Sequence, residues 1–176
     1  METRKVARAV ILVAIGVAIS PFTSIPIGIA KINPDQHFVN VVGAVLLGPW
    51  WATGIALVIG VLRNALGTGT LLAFPGGMIG AFLAGLAYRY TRSIYIGALG
   101  EIIGTGILGA VVSVLIIAPV FMGKAMAMGA LIIAFLGSTI LGSILALFAL
   151  KLLHRAGFTP SPHPSPPGGE GRDKRK

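Results

Sequence analysis

Apolar residues run almost without interruption from Val6 to Leu153, and the breaks between them are set by proline, glycine and short polar clusters. This pattern predicts helices over residues 6–22, 37–48, 50–66, 77–90, 94–120 and 125–154. Ser20-Pro21 and Ser24-Ile25-Pro26 end the first helix, because proline removes a backbone donor and restricts the residue before it. Gly48-Pro49 ends or kinks the second, while Gly67-Thr68-Gly69-Thr70 and Pro75-Gly76-Gly77 bracket a loop before the fourth. At 1.5 Å per residue the second helix is about 18 Å long, too short for a full membrane span. One stretch departs from all this: Lys31 to Asn40 is a dense run of polar side chains. A chain in a bilayer keeps such segments at the water boundary or against a protected cavity. Residues 23–36 therefore read as a loop forming lid and wall of a small-molecule pocket, faced by a second loop from Arg63 to Pro75.

Composition places the chain among integral membrane proteins. Of its 176 residues 55% are hydrophobic and 11% charged, with a mean hydropathy of +0.91. The expected fold class is an all-α, multi-pass membrane protein. The net charge of +9 would suggest nucleic acid in a soluble protein, but the positions of the charges point to topology instead. Six spans put the N-terminus, Arg89, Arg92 and the C-terminal tail on one side with eleven basic residues, leaving Lys31, Arg63 and Lys124 on the other. Five spans would place the basic tail outside, against the positive-inside rule. Six spans with both termini cytoplasmic in the cell membrane are thus expected. The first apolar run lacks an Ala-x-Ala-like cleavage site and reads as a retained helix. Residues 1–157 form the expected transmembrane domain, and the Pro/Gly/Ser-rich, basic residues 158–176 a disordered tail without a part in the chemistry.

The inventory of reactive side chains excludes several classes. With no cysteine there is no disulfide, thiolate site or cysteine nucleophile, and one membrane-region histidine, His37, cannot make a metal site. No Ser-His-acid set or close carboxylate pair appears, so no enzyme activity is expected. Gly104-Thr105-Gly106-Ile107-Leu108-Gly109 matches G-x-G-x-x-G but lies inside an apolar helix without a βαβ unit, and reads as close helix packing. Gly76-x-x-x-Gly80 and Ala81-x-x-x-Gly85 read the same way. Gly123-Lys124 lacks the Ser or Thr of a Walker A loop, so ATP, if used, is bound by another chain.

Candidate binding residues cluster at the polar breaks. In the first loop Asn33, Asp35, Gln36, His37 and Asn40 divide between turn or capping roles and ligand contact. Asp35 suits an N-cap, and His37 and Asn40 share one helix face. Arg63-Asn64 either snorkels to headgroups or supplies donors at the pocket rim, with Thr68, Thr70 and Phe74 nearby. Glu101, Thr105, Gly109 and Ser113 recur every four residues as a polar stripe. The Glu101 carboxylate would be costly against lipid, and either lines the cavity or bonds a neighbouring helix. Ala14-x-x-x-Ala18 flattens one face of the first helix for close packing.

The segments Ile32 to Asn40, Leu47-Gly48-Pro49-Trp50, Arg63-Asn64-x-x-Gly67-Thr68-Gly69-Thr70-Leu71-Leu72-Ala73-Phe74-Pro75-Gly76 and Gly100-Glu101-x-x-Gly104-Thr105-Gly106 closely resemble the ThiW family over residues 5 to 155. These are thiazole-specific S components of energy-coupling factor transporters. The resemblance implies a six-helix protein that captures hydroxyethylthiazole at the outer face. It also implies docking on a transmembrane T component driven by two ATPase subunits, with no cofactor of its own. By the same resemblance Ala14 and Ala18 become the T-component contact. Such a ring needs an apolar slot, a stacking partner and a few hydrogen-bonding groups. Phe74, Trp50 and Phe38 are the candidate stackers, and His37, Asn40, Arg63 and Asn64 the orienting groups. The alternatives are an S component for another thiamine-related fragment, or a stand-alone ion-coupled carrier with Glu101 as proton site.

Overall fold

Gly48 separates two helices and does not merely kink one. Its backbone, at φ 91° and ψ 176°, occupies a region that is essentially glycine-only, and Pro49 starts the next helix where its missing N–H is harmless. The computed structural model describes residues 2–27 and 30–157. The elements in order are α1 (Glu2–Thr23), β1 (Ile25–Ile27), β2 (Ala30–Ile32), α2 (Pro34–Leu47), α3 (Pro49–Ala65), α4 (Ala73–Thr91), α5 (Ile94–Phe121) and α6 (Met128–Arg155). The tail expected to be disordered lies outside the described residues.

Among the described residues three helices are long and apolar enough to cross a membrane: α1 over Thr3–Thr23, α5 and α6. With 14 residues, α2 reaches only about 21 Å against a hydrocarbon core of about 30 Å. It folds back antiparallel on α3, so that a Cβ at Gly43 would touch Leu12, Ile55 and Ala52. Val39, Val41, Val45 and Ile59 belong to one apolar core to which all six helices contribute, with Leu12, Tyr88, Ala98 and Ala146 among its other members.

Two expected boundaries move. The first loop contains an antiparallel hairpin with Ile25 opposite Ile32 and Pro26 opposite Lys31, and α2 begins at Pro34. The second loop is shorter than expected because α4 starts at Ala73. Phe74 and Pro75 thus lie in its first turn, where proline's missing donor would have had no partner anyway.

The glycines of the rejected dinucleotide motif do the packing expected of them. A Cβ on Gly104 would lie 2.6 Å from the Gly80 Cα, and one on Gly109 would collide with Gly76, so α4 and α5 touch backbone to backbone. Along this seam α5 winds more widely than an α-helix over Gly104–Gly109 and again over Ser113–Phe121.

Candidate functional site

The polar residues of α2 and α5 meet around a single carboxylate oxygen. The first turns of α2 present His37 and Asn40 on one face, as their spacing dictates, and α5 presents Glu101 and Thr105 one turn apart. Glu101 Oε1 lies 2.9 Å from His37 Nδ1, and accepts hydrogen bonds of 2.9 Å from Asn40 Nδ2 and 2.9 Å from Thr105 Oγ1. Glu101 has no exposed surface. Asn40 donates also to the Gly77 carbonyl at 3.1 Å, and Thr105 shares its hydroxyl hydrogen with the Gly76 carbonyl at 2.8 Å. Both carbonyls belong to the start of α4, which comes this close because Gly76, Gly77 and Gly80 carry no side chain. A Cβ on Gly80 would sit 2.6 Å from Glu101 Oε2. The stripe continues as expected: Ser113 bonds the carbonyls of Leu72 and Gly109, both at 2.7 Å.

Beside this cluster lies a second polar pair. Arg63 in the last turn of α3 is 1% exposed and its Nη1 donates to Gln36 Oε1, so it neither snorkels nor stands at an open rim. Its Nε and Nη2 find no acceptor among the described residues, and the Asp35 carboxylate supplies an attractive charge. Asp35 is not the helix cap. The N-cap position belongs to Asn33, which makes no side-chain cap bond, while Asp35 Oδ1 accepts a 2.6 Å bond from Thr23 at the end of α1.

A cavity of about 10 Å³ is enclosed by Lys31, Ile32, Asn33, Gln36, His37, Ala73, Thr105, Phe135 and Ser138. The lid is the hairpin, held by backbone carbonyls of the α3–α4 turn. Lys31 Nζ donates to Gly67 O, Ser24 Oγ donates to Thr68 O at 3.1 Å, and Ser20 Oγ lies 3.5 Å from Thr68 Oγ1. The two polar breaks therefore do meet. At the other wall, the Ser138 hydroxyl accepts from the Asn33 backbone N–H at 3.1 Å.

Of the residues singled out from sequence, Asn33, Gln36, His37 and Thr105 line the cavity, and Asn40, Glu101 and Arg63 brace that lining from behind. Others serve elsewhere. Asn64 Nδ2 donates to the Gly60 and Thr70 carbonyls and so holds the turn. Thr68 bonds the Arg63 carbonyl, and Thr70 contributes its own carbonyl to Asn64 and Ala73. None of the three proposed stackers reaches the cavity. Phe74 packs over Gly60, Phe38 packs on the apolar core, and Trp50 is 73% exposed with its ring edge-on to Phe82 at 5.1 Å. The aromatic wall is Phe135. It comes from α6, where Phe135, Ser138, Thr139, Gly142 and Ser143 form a buried small and polar stripe against α2. A Cβ on Gly142 would lie 2.7 Å from that of His37. The sequence signal for that stripe is its helical spacing, at positions 135, 138, 139, 142 and 143.

Ala14 and Ala18 do not line this cavity and stand instead in an open apolar groove of about 750 Å³ between α1 and α3 that also includes Trp50 and Trp51. Size does not make it the binding site, because it lacks the charged and amide side chains that converge on the smaller cavity.

Helices long and apolar enough to cross a membrane, packed around a cluster of buried polar side chains with a hairpin fastened beside it, define a helical membrane protein. The family model described as thiamine-precursor transporter protein (ThiW) matches residues 6–156, and the chain belongs to this family of transporters. No curated protein matches it.

Proposed function

We propose that the chain is the substrate-capturing subunit of an energy-coupling factor importer and that its solute is hydroxyethylthiazole. In this reading six spans cross the cell membrane with both termini inside, the hairpin faces outward, and the solute enters beneath it. The observation that carries the reading is the cavity itself, with Phe135 as a flat apolar wall and Asn33, Gln36, His37, Thr105 and Ser138 as hydrogen-bonding groups. A volume of about 10 Å³ admits roughly one water, so a five-membered ring enters only when the hairpin lifts or Phe135 turns. Capture is then coupled to lid opening, and re-forming the Lys31 and Ser24 bonds to the turn closes the lid over the solute.

Energy enters through other chains: a T component on the apolar groove holding Ala14 and Ala18, and ATPase subunits that bind the nucleotide. The purified chain in vesicles is expected to bind hydroxyethylthiazole without accumulating it. Calorimetric titration against that compound, thiamine and the pyrimidine precursor identifies the ligand, and Phe135→Ala is expected to weaken binding at least about tenfold through lost ring contact. Equal binding of all three compounds would defeat the thiazole assignment. The His37–Glu101 contact also suits a stand-alone proton-coupled carrier. Uphill uptake driven by a pH gradient alone would establish that reading instead.

A further inference from the structure

A second concavity of about 540 Å³ opens at the opposite end of the bundle, where α2, α4 and α6 finish and α5 begins. Its floor is apolar, with Val45 from α2 and Leu150 from α6, and its rim carries Arg92, Lys151, His154 and Arg155. No acidic residue among the described residues lines it. Arg92 at the end of α4 and Arg155 in the last turn of α6 each offset the carbonyl end of their own helix. Lys151 and Arg155, one turn apart on α6, repel one another at the same hollow, and its apolar side chains screen that repulsion poorly. Ser93, Ile94 and Tyr95 at the start of α5 border the same hollow, and the positive end of that helix dipole adds to the field there.

The depth of the hollow indicates which anion. All three tyrosines of the chain, Tyr88, Tyr90 and Tyr95, fall at this end, and tyrosine concentrates at the level of lipid headgroups. Lys151 Nζ stands 5.3 Å over the Tyr95 ring, which keeps an ammonium at that level. A free phosphate would use the rim and leave the apolar floor wet. A phospholipid satisfies both, with its phosphate on the cations and an acyl chain along Ile94 and Leu153, the half-buried apolar side chains of the lining.

We propose that this hollow is a binding site for an anionic phospholipid. The site is separate from the solute cavity and does not depend on what solute is carried.

The test uses the full-length protein in a neutral detergent, titrated with phosphatidylglycerol, phosphatidylcholine or inorganic phosphate while its melting temperature is followed. Phosphatidylglycerol near 100 times Kd is expected to raise the melting temperature by about 5 °C, with no comparable rise from the other two. The variant Lys151→Gln/Arg155→Gln is expected to lose that rise. Arg92→Asn, which keeps a residue tolerant of the left-handed backbone there, is expected to weaken half-saturation about tenfold. It serves if the double variant fails to fold. An equal rise with phosphatidylcholine would reduce the hollow to a lipid-facing crevice, and an equal rise with phosphate would make it a simple anion site. A melting temperature indifferent to phosphatidylglycerol would leave the hollow to some other anion, such as carboxylates of the chain's own tail. Any of the three results overturns the proposal.

Discussion

Three side chains from two helices converge on Glu101 Oε1, and their positions are not equivalent. Asn40 and Thr105 keep carbonyl partners on Gly77 and Gly76 if the carboxylate is removed, whereas His37 has no second partner among the described residues. Glu101→Ala therefore orphans chiefly His37, at a cost of about 1–3 kcal/mol, which corresponds to a fall in melting temperature of roughly 2–10 °C. Because His37 lines the cavity and Glu101 stands behind it, solute affinity should fall with it. Glu101→Gln retains an acceptor oxygen of the same shape and should retain most of that affinity in a binding titration. A Gln variant as damaged as the Ala variant would show that the charge, and not the acceptor, is what the cavity needs. The importance of Glu101 was legible in sequence as a lone acid in an apolar helix. Its partners were legible only in part, since His37 and Asn40 announced a shared face but nothing local indicated which helix that face would meet. Trp50 misled for a physical reason: aromatic rings suit both ligand stacking and lipid contact, and only burial distinguishes them.

Some element boundaries follow proline and glycine acting through the backbone, while Pro21 and Pro119 lie inside α1 and α5 without ending them. Gly48 is the sharpest case, because no side-chain-bearing residue adopts its conformation without strain. Gly48→Ala should cost about 1–3 kcal/mol in thermal unfolding and loosen the α2–α3 turn. An unchanged melting temperature would mean that the turn can adopt another geometry. The hairpin escaped notice because three-residue strands carry little periodic signal and Pro26 sits in one of them, although the alternation Ile25-Pro26-Ile27-Gly28-Ile29 was there to be seen. The wide windings of α5 were likewise invisible, since apolar residues satisfy a slightly unwound helix as readily as a regular one.

At the scale of the molecule the hairpin and the α3–α4 turn close one end of the bundle over the cavity, and access should depend on their parting. The chain contains no cysteine, so Ser24→Cys with Thr68→Cys places the only two thiols where the residue leading into the hairpin meets the turn, Ser24 Oγ lying 3.1 Å from the Thr68 carbonyl. Oxidation should trap the closed form and slow solute exchange in a stopped-flow or filter-binding measurement, and reductant should restore it. Exchange that proceeds unchanged in the oxidised protein would require a route other than the lid.

That closure is fastened largely to peptide oxygens, those of Gly67 and Thr68, while Asn64 secures the same turn through the Thr70 oxygen. A clasp of this kind reads contour and ignores lettering. Related chains are free to respell the turn at positions such as Thr70, but a single inserted or deleted residue would carry the hooks out of reach of their eyes and leave the door ajar.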